Sequence, residues 1–206
     1  LVGSPRHLAA LRFRGKRVAN LANNHVMDYG VASALDTIRA LEEQGWDYTG
    51  VRGDRVRGQP CIRSTPGGEV GLLGLYPGGG MGGGDSDVSI DRGGGQPTLL
   101  RRVRELKDRC DVALVMLHQG VEYCSYPRWT DRELARRIVE AGADMVFCHH
   151  PHVVQGIEGF GGSLVFHSLG NLVFDPAISG RPETTQGLAV RLTIQGKHIS
   201  RCELRP

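Results

Sequence analysis

The chain has 206 residues, 40% hydrophobic and 23% charged, enough for one globular domain with a real core. Its net charge of +3 is dispersed, and the densest basic stretch, Arg101 to Arg109, is diluted by acids, which argues against nucleic-acid binding. No apolar run reaches membrane-spanning length and no signal-peptide pattern opens the chain; five scattered cysteines without C-x-x-C spacing argue against a disulfide framework and a zinc knuckle and suggest a reducing compartment.

Leu1 to Arg14 carries no clean element, and residues are expected to be missing upstream. Arg17 to Ala22 reads as a strand running into the turn Asn23-Asn24-His25. Val31, Ala34, Leu35, Ile38 and Leu41 recur at helical spacing until Gly45 stops the helix. Tyr48 to Val51 is a short strand, and Val70 to Tyr76 a buried one. Pro97 to Arg109 predicts an amphipathic helix and Asp111 to His118 a continuous apolar strand. A helix over Asp131 to Ala141 and strands over Met145–Cys148 and Ser163–Ser168 follow. Gly187 to Leu204 alternates apolar and polar around Gly196-Lys197, an antiparallel hairpin. Strands alternating with helices predict an α/β sheet with helices packed on it.

The stretch YPGGGMGGGDSDVSIDRGGGQP (76–97) contains a literal G-x-G-x-x-G at Gly78, Gly80 and Gly83. A dinucleotide-binding turn must open a helix directly, whereas here more glycine, Asp85 and Asp87 intervene before Pro97. It reads as a flexible loop, and no nucleotide cofactor is expected.

Three apolar segments end alike: VANLANNH at His25, VALVMLH at His118, and MVFCHH at His149 and His150, with His152 just beyond. Ligands of open α/β sheets bind outside the carboxyl ends of the strands, so these histidines are expected on one functional edge. Pro151 keeps His150 out of helical geometry, and an extended His-x-His would send both imidazoles to one side, within reach of one ion or substrate group. Neutral imidazole suits zinc, manganese or iron; a capping cluster around a proline is the plain alternative. Asn23 and Asn24 are turn residues, or Asn24 supplies an oxygen ligand while His25 faces a developing anion. Asp28 either caps the following helix or hydrogen-bonds His25. The turn Ser168-Leu169-Gly170-Asn171 follows a strand, and its amides are candidate anion donors. Glu122, four residues after His118, is expected to contact the cleft.

LANNHVMDYG, HQGVEY, AGADMVFCHHPHVVQGIE and HSLGNLVFD, in that order and spacing, resemble the bacterial capsule synthesis protein CapA family of poly-gamma-glutamate capsule systems. The match runs from about Leu8 to Asp175, as one domain over 1–206. The resemblance implies an α/β fold: a calcineurin-like metallophosphoesterase-type sandwich, mixed sheets flanked by helices, with a C-terminal antiparallel hairpin. It also implies Asn24, His118, His150 and His152 as metal ligands and His25 as an electrostatic catalyst; beside these, His118 and Glu122 are catalytic candidates, and Asn23, Asp28, Ser168, Gly170 and Asn171 are candidates at the substrate. Gln119, Cys148, Ser33 and His167 depart from the family's usual Trp, Gly, Gly and Tyr. The family's first strand, with its Gly-Asp, and a following Asn-Leu-Glu are not in this chain, so Glu122 and then Asp175 are the nearest acids to balance an ion. The chain is therefore expected to bind a divalent ion weakly, and a version extended upstream to bind it well. Family members often carry an N-terminal membrane anchor and face the cell envelope.

Three functions follow. The first is a metal-dependent hydrolase in capsule or cell-envelope polymer metabolism, in which a bound ion activates water and His25 stabilises or protonates the leaving group. The second is a non-catalytic component that binds anionic polyglutamate through His, Asn and Arg128, alongside capsule-synthesis proteins. The third is a metal-independent peptide epimerase with His25 and His118 as acid and base.

Overall fold

In a computed structural model of the chain, residues 3–11, 14–56, 60–78 and 88–206 are described. The N-terminal stretch, expected to be featureless, contains a short helix α1 (Arg6–Ala10). β1 (Arg17–Asn20) is followed by α2 (Gly30–Glu43) and then β2 (Trp46–Thr49), which pairs with β1 in parallel. The helical repeat read from the sequence is the buried face of α2: Ala34, Ile38 and Leu41 pack with Leu21, Trp46 and Tyr48. The strand expected over 48–51 is split. β2 ends at Thr49, and β3 (Val51–Arg52) pairs instead with β6 (Ser89–Ile90).

The main sheet has six strands, in the order β4 (Cys61–Thr65), β5 (Gly68–Leu75), β7 (Val112–His118), β8 (Met145–His149), β10 (Ser163–Phe166), β9 (Ile157–Phe160). The four central strands are parallel, and β4 and β9 close the sheet antiparallel. Two crossover helices, α3 (Gln96–Lys107) and α4 (Trp129–Glu140), cover one face. Leu99, Val103 and Leu106 of α3 and Ala135 and Ile138 of α4 bury against Leu117, Val115, Val146 and Cys148. Because side chains alternate along a strand, the intervening residues Met116, His118, Phe147 and His149 emerge on the other face, which is only half-buried. The histidines thus sit at the carboxyl ends of β7 and β8 because His118 and His149 are in register.

The strand leading to His25 is not part of this sheet, contrary to expectation: β1 and β2 form a separate two-stranded sheet. Three hydrogen bonds, one of them to a side chain, join the two. Gly74 N donates to the buried Thr49 Oγ1 (3.0 Å), Asp91 N donates to Gly50 O (2.9 Å), and Tyr76 N donates to Asp91 O (2.8 Å). The approach is close enough that a Cβ on Gly74 would lie 2.1 Å from Asn20 Oδ1. The chain ends in the hairpin β11 (Ala189–Gln195) and β12 (His198–Arg205), which turns at Gly196-Lys197 as read from the alternation. The glycine-rich motif from Gly80 onward, with Gly83, lies outside the described residues. Among those described, no helix is long and apolar enough to cross a membrane.

Candidate functional site

Past β1 the chain is held by local bonds. Asn20 Oδ1 accepts Ala22 N (3.0 Å), and Asn23 Oδ1 accepts His25 N (2.8 Å) while its Nδ2 donates to Leu21 O (3.4 Å). Asn23 is therefore turn chemistry, and the turn delivers Asn24 and His25. Asp28 does not cap α2, whose N-cap Tyr29 has no side-chain bond; its Oδ2 lies 2.8 Å from His25 Nδ1. That bond holds the Asp28 carboxyl below the usual carboxylate range, so it is ionised and can only accept. The polarity of the whole chain follows. His25 Nδ1–H donates to Asp28, His25 Nε2 accepts from Asn24 Nδ2 (3.2 Å), and Asn24 Oδ1 accepts from His118 Nε2–H (2.9 Å).

His118 stands edge-on to Tyr76, ring centroids 5.5 Å apart, and 4.9 Å from the His150 ring. Burial, then the neighbouring histidines, pushes its pKa down to about 3. Burial pushes His149 down to about 4 and also lowers His150, against which the charge of Glu122 pulls upward. These three rings are neutral at pH 7. Glu122 itself is exposed and makes no wall of the cavity below; its influence on His150 is through space.

His150 and His152 are not extended. Their φ angles are +108° and +61°, a region that non-glycine residues enter only when the surroundings dictate it. The buried Pro151 lies between them, its carbonyl accepting Tyr123 N (2.8 Å). The two rings face each other at 6.3 Å, so the convergence expected of an extended pair is reached by a strained turn. His150 Nδ1 is buried without a partner. His152 is held by Asn171 Oδ1 (2.9 Å) and flanked by Tyr123 and Phe174, with ring centroids at 6.0 and 5.0 Å.

The turn amides expected to bind an anion are already committed. Leu169 N donates to Cys148 O, Gly170 N to Ser168 Oγ, and Asn171 N to Gln186 O. Ser168 is 1% exposed, so it too faces protein rather than substrate. Arg128, the candidate anion binder, is forked onto Asp131 (2.8 and 2.9 Å). Asp175 accepts Ala177 N (2.9 Å) at the start of the short helix α5 (Pro176–Ser179).

Asn24, His25, His118, His149 and His152 line one cavity of about 480 Å³, with Asn20, Asn23, Tyr29, Ser33 and Thr37 on the α2 side. Among the described residues, no Lys, Arg, Asp or Glu contributes to that wall. Imidazole nitrogens and an amide oxygen are donors that a zinc- or manganese-like ion accepts. Asn24 Oδ1 and His118 Nε2 already meet, and the orphaned His150 Nδ1 is a buried lone pair or N–H without a partner. The donor chemistry fits an ion, but among the described residues no group of three or more His, Cys, Asp or Glu side chains is drawn around a single point.

Residues 1–176 match the family model described as bacterial capsule synthesis protein PGA_cap. The chain belongs to that family. Within it, the chain is 34% identical over 175 residues to the capsule biosynthesis protein CapA of Bacillus anthracis, covering 81% of this chain and 42% of that one. It is 32% identical over 192 residues to the PGA biosynthesis protein CapA of Bacillus subtilis strain 168, covering 92% and 50%. The chain thus spans about half the length of these relatives or less. Among solved structures it is similar to a candidate 5'-nucleotidase of Staphylococcus aureus in complex with alpha-ketoglutarate (TM-score 0.60, 18% identity, 98% of this chain and 39% of that one). It is also similar to a Mycoplasma pneumoniae phosphatase (TM-score 0.52, 14% identity, 98% and 86%). The chain shares the fold of these structures, a mixed α/β sheet flanked by helices, as the resemblance in the sequence led us to expect.

Sequence reasoning missed Tyr76 and Tyr123, which pack on His118 and His152. Tyr76 had a signal: it directly follows β5, whose last residue Leu75 pairs with Leu117, so the strand-end rule applies to it equally. Tyr123 had none, since its place depends on the Pro151 turn.

Proposed function

We propose that this chain carries a metal-dependent hydrolase-type site of a CapA-like protein acting in poly-gamma-glutamate capsule or cell-envelope polymer biosynthesis. Its substrate would be an anionic phosphoester or peptide-like polymer. The observation that carries the reading is the cavity itself: a wall of Asn and His side chains from distant segments with, among the described residues, no Lys or Arg. His118 and His149 are neutral at pH 7, so these two rings offer an anion no countercharge. A divalent ion on Asn24, His118, His150 and His152 would supply that charge and lower the pKa of a bound water.

The protein's own part follows from the bonds. Asp28 fixes the His25 ring with its Nδ1 protonated, which leaves Nε2 toward Asn24 and the cavity. To stabilise developing charge or pass a proton to a leaving oxygen, His25 would first take up a proton at Nε2, giving up the bond from Asn24. To serve as a ligand through Nε2, His118 would give up that proton and with it the bond to Asn24.

Elemental analysis and calorimetric titration with zinc and manganese test the ion, and hydrolysis of a phosphomonoester and of poly-gamma-glutamate tests turnover. His118→Ala is expected to lose the ion, whereas His25→Ala is expected to keep it and lose about 10²- to 10⁴-fold in kcat. Absence of any ion in active protein would overturn the reading in favour of proton abstraction by histidine. Tight polyglutamate binding without ion or turnover would favour a non-catalytic binding role.

A further inference from the structure

Asn171 offers a different role from the substrate contact its sequence position suggests. Its side chain bridges three groups: Nδ2 donates to His152 O (3.1 Å) and Thr184 O (2.8 Å), and Oδ1 lies 2.9 Å from His152 Nδ1. Two carbonyls can only accept, so they fix which end of the amide is nitrogen. The oxygen must then face His152, and an oxygen without hydrogen can only accept. His152 Nδ1 therefore carries the proton, and its Nε2 is the lone-pair nitrogen.

We infer that Asn171 is a positioning residue that locks His152 in the Nδ1–H tautomer and presents Nε2 to the cavity as a ligand or acceptor. Asn171 itself touches no substrate. The lock is anchored in the fold: Thr184 is fully buried, and its hydroxyl donates to Arg181 O (2.7 Å). The Asn171 bridge thus ties the strained His152 turn to the 3-10 helix Pro182–Thr185. His152 lines the cavity, and among the described residues its Nε2 makes no hydrogen bond. A free imidazole samples both tautomers, and an ion that needs Nε2 would otherwise select one of them at a cost.

What Nε2 is for rests on the function proposed above; the tautomer does not. The test is therefore read first in metal-free protein at pH 8, by two-bond nitrogen–proton NMR of the labelled histidine rings, with His152 assigned by its loss in His152→Gln. The wild-type ring is expected to show a pyrrole-type Nδ1 and a pyridine-type Nε2. Asn171→Asp keeps an acceptor at Oδ and should keep that pattern, although it loses the donors to His152 O and Thr184 O. Asn171→Ala should lose the pattern, moving the proton wholly or partly to Nε2. A calorimetric titration with zinc alone should then show affinity about 10- to 100-fold weaker for Asn171→Ala and little changed for Asn171→Asp. A wild-type His152 with its proton on Nε2 overturns the proposal even if no variant folds. So does a tautomer unchanged in folded Asn171→Ala. Equal loss of zinc affinity in both variants would show that Asn171 merely pins the loop. If the tautomer pattern holds but no protein binds zinc, the lock stands and the metal reading fails.

Discussion

At the scale of single residues, the site depends on side chains that never face the cavity. Gly120 follows His118 by two residues and has φ +123°; a Cβ there would lie 2.8 Å from Pro151 Cγ. Pro151 is the pivot of the strained pair His150 and His152, so anything that moves it moves both rings. Gly120→Ala is therefore expected to cost about 1–3 kcal/mol by overpacking and backbone strain combined. Urea unfolding would show it, and the His150 and His152 ring resonances should shift in the folded remainder. A variant as stable as wild type with unmoved ring signals would mean that Pro151 is free to yield. Nearby, Gln119 and Cys148 touch: Gln119 Nε2 lies 3.7 Å from Cys148 Sγ and donates to Asp131 O (3.0 Å). Both side chains are buried and neither is part of the cavity wall.

At the scale of elements, the site exists only if two separate sheets stay in register. Asp91 does much of that work. Its backbone bonds to Gly50 and Tyr76, and its fully buried carboxylate takes both ends of the Arg102 guanidinium of α3 at 2.5 Å, and also Gly93 N (3.1 Å). Such a pair contributes little net stability when whole, but leaving one charge buried alone is costly. Arg102→Met is expected to destabilise the protein by about 3–5 kcal/mol. Adding Asp91→Asn should recover a good part of that loss. Denaturant unfolding of the two singles and the double decides it: additive losses would show that the two side chains act independently. Because the seam lies between Tyr76 and Gly50, the single variant should also disturb the cavity before the core.

At the scale of the whole molecule, the neutral histidines set how the fold responds to acid. His118 and His149 have folded pKa values of about 3 and about 4, below an unfolded value near 6.5. Below pH 6.5 the unfolded chain therefore binds more protons than the folded one, and stability falls as pH falls. The contribution is complete above about pH 6.5 and is lost progressively toward pH 4. The urea midpoint is expected to drop through that window. His149→Gln should flatten the drop, since it removes one of the two groups that must be charged on unfolding. A midpoint independent of pH between 7 and 4.5 would show that both rings take up protons in the native state as readily as in the unfolded chain.

The sequence by itself determined the alternation of helices and strands, the C-terminal hairpin, and the clustering of His25, His118, His149, His150 and His152 at strand ends. It could do so because apolar periodicity is local: Leu114, Met116 and His118 share a face whatever else the chain does. It did not determine that β1 lies in a separate sheet, since strand pairing is a long-range choice that a four-residue segment leaves open. Nor did it determine the backbone of His150 and His152, where Pro151 restrains one residue but packing against Gly120 and Tyr123 sets the turn. The roles of Ser168, Gly170 and Asn171 were likewise hidden. Whether a turn's amides are free depends on which carbonyls lie opposite, and Cys148 O and Gln186 O are brought there only by the folded chain. Which residues meet was written in local pattern; which of their atoms remain free to act was decided by the tertiary hydrogen bonds that use up the rest.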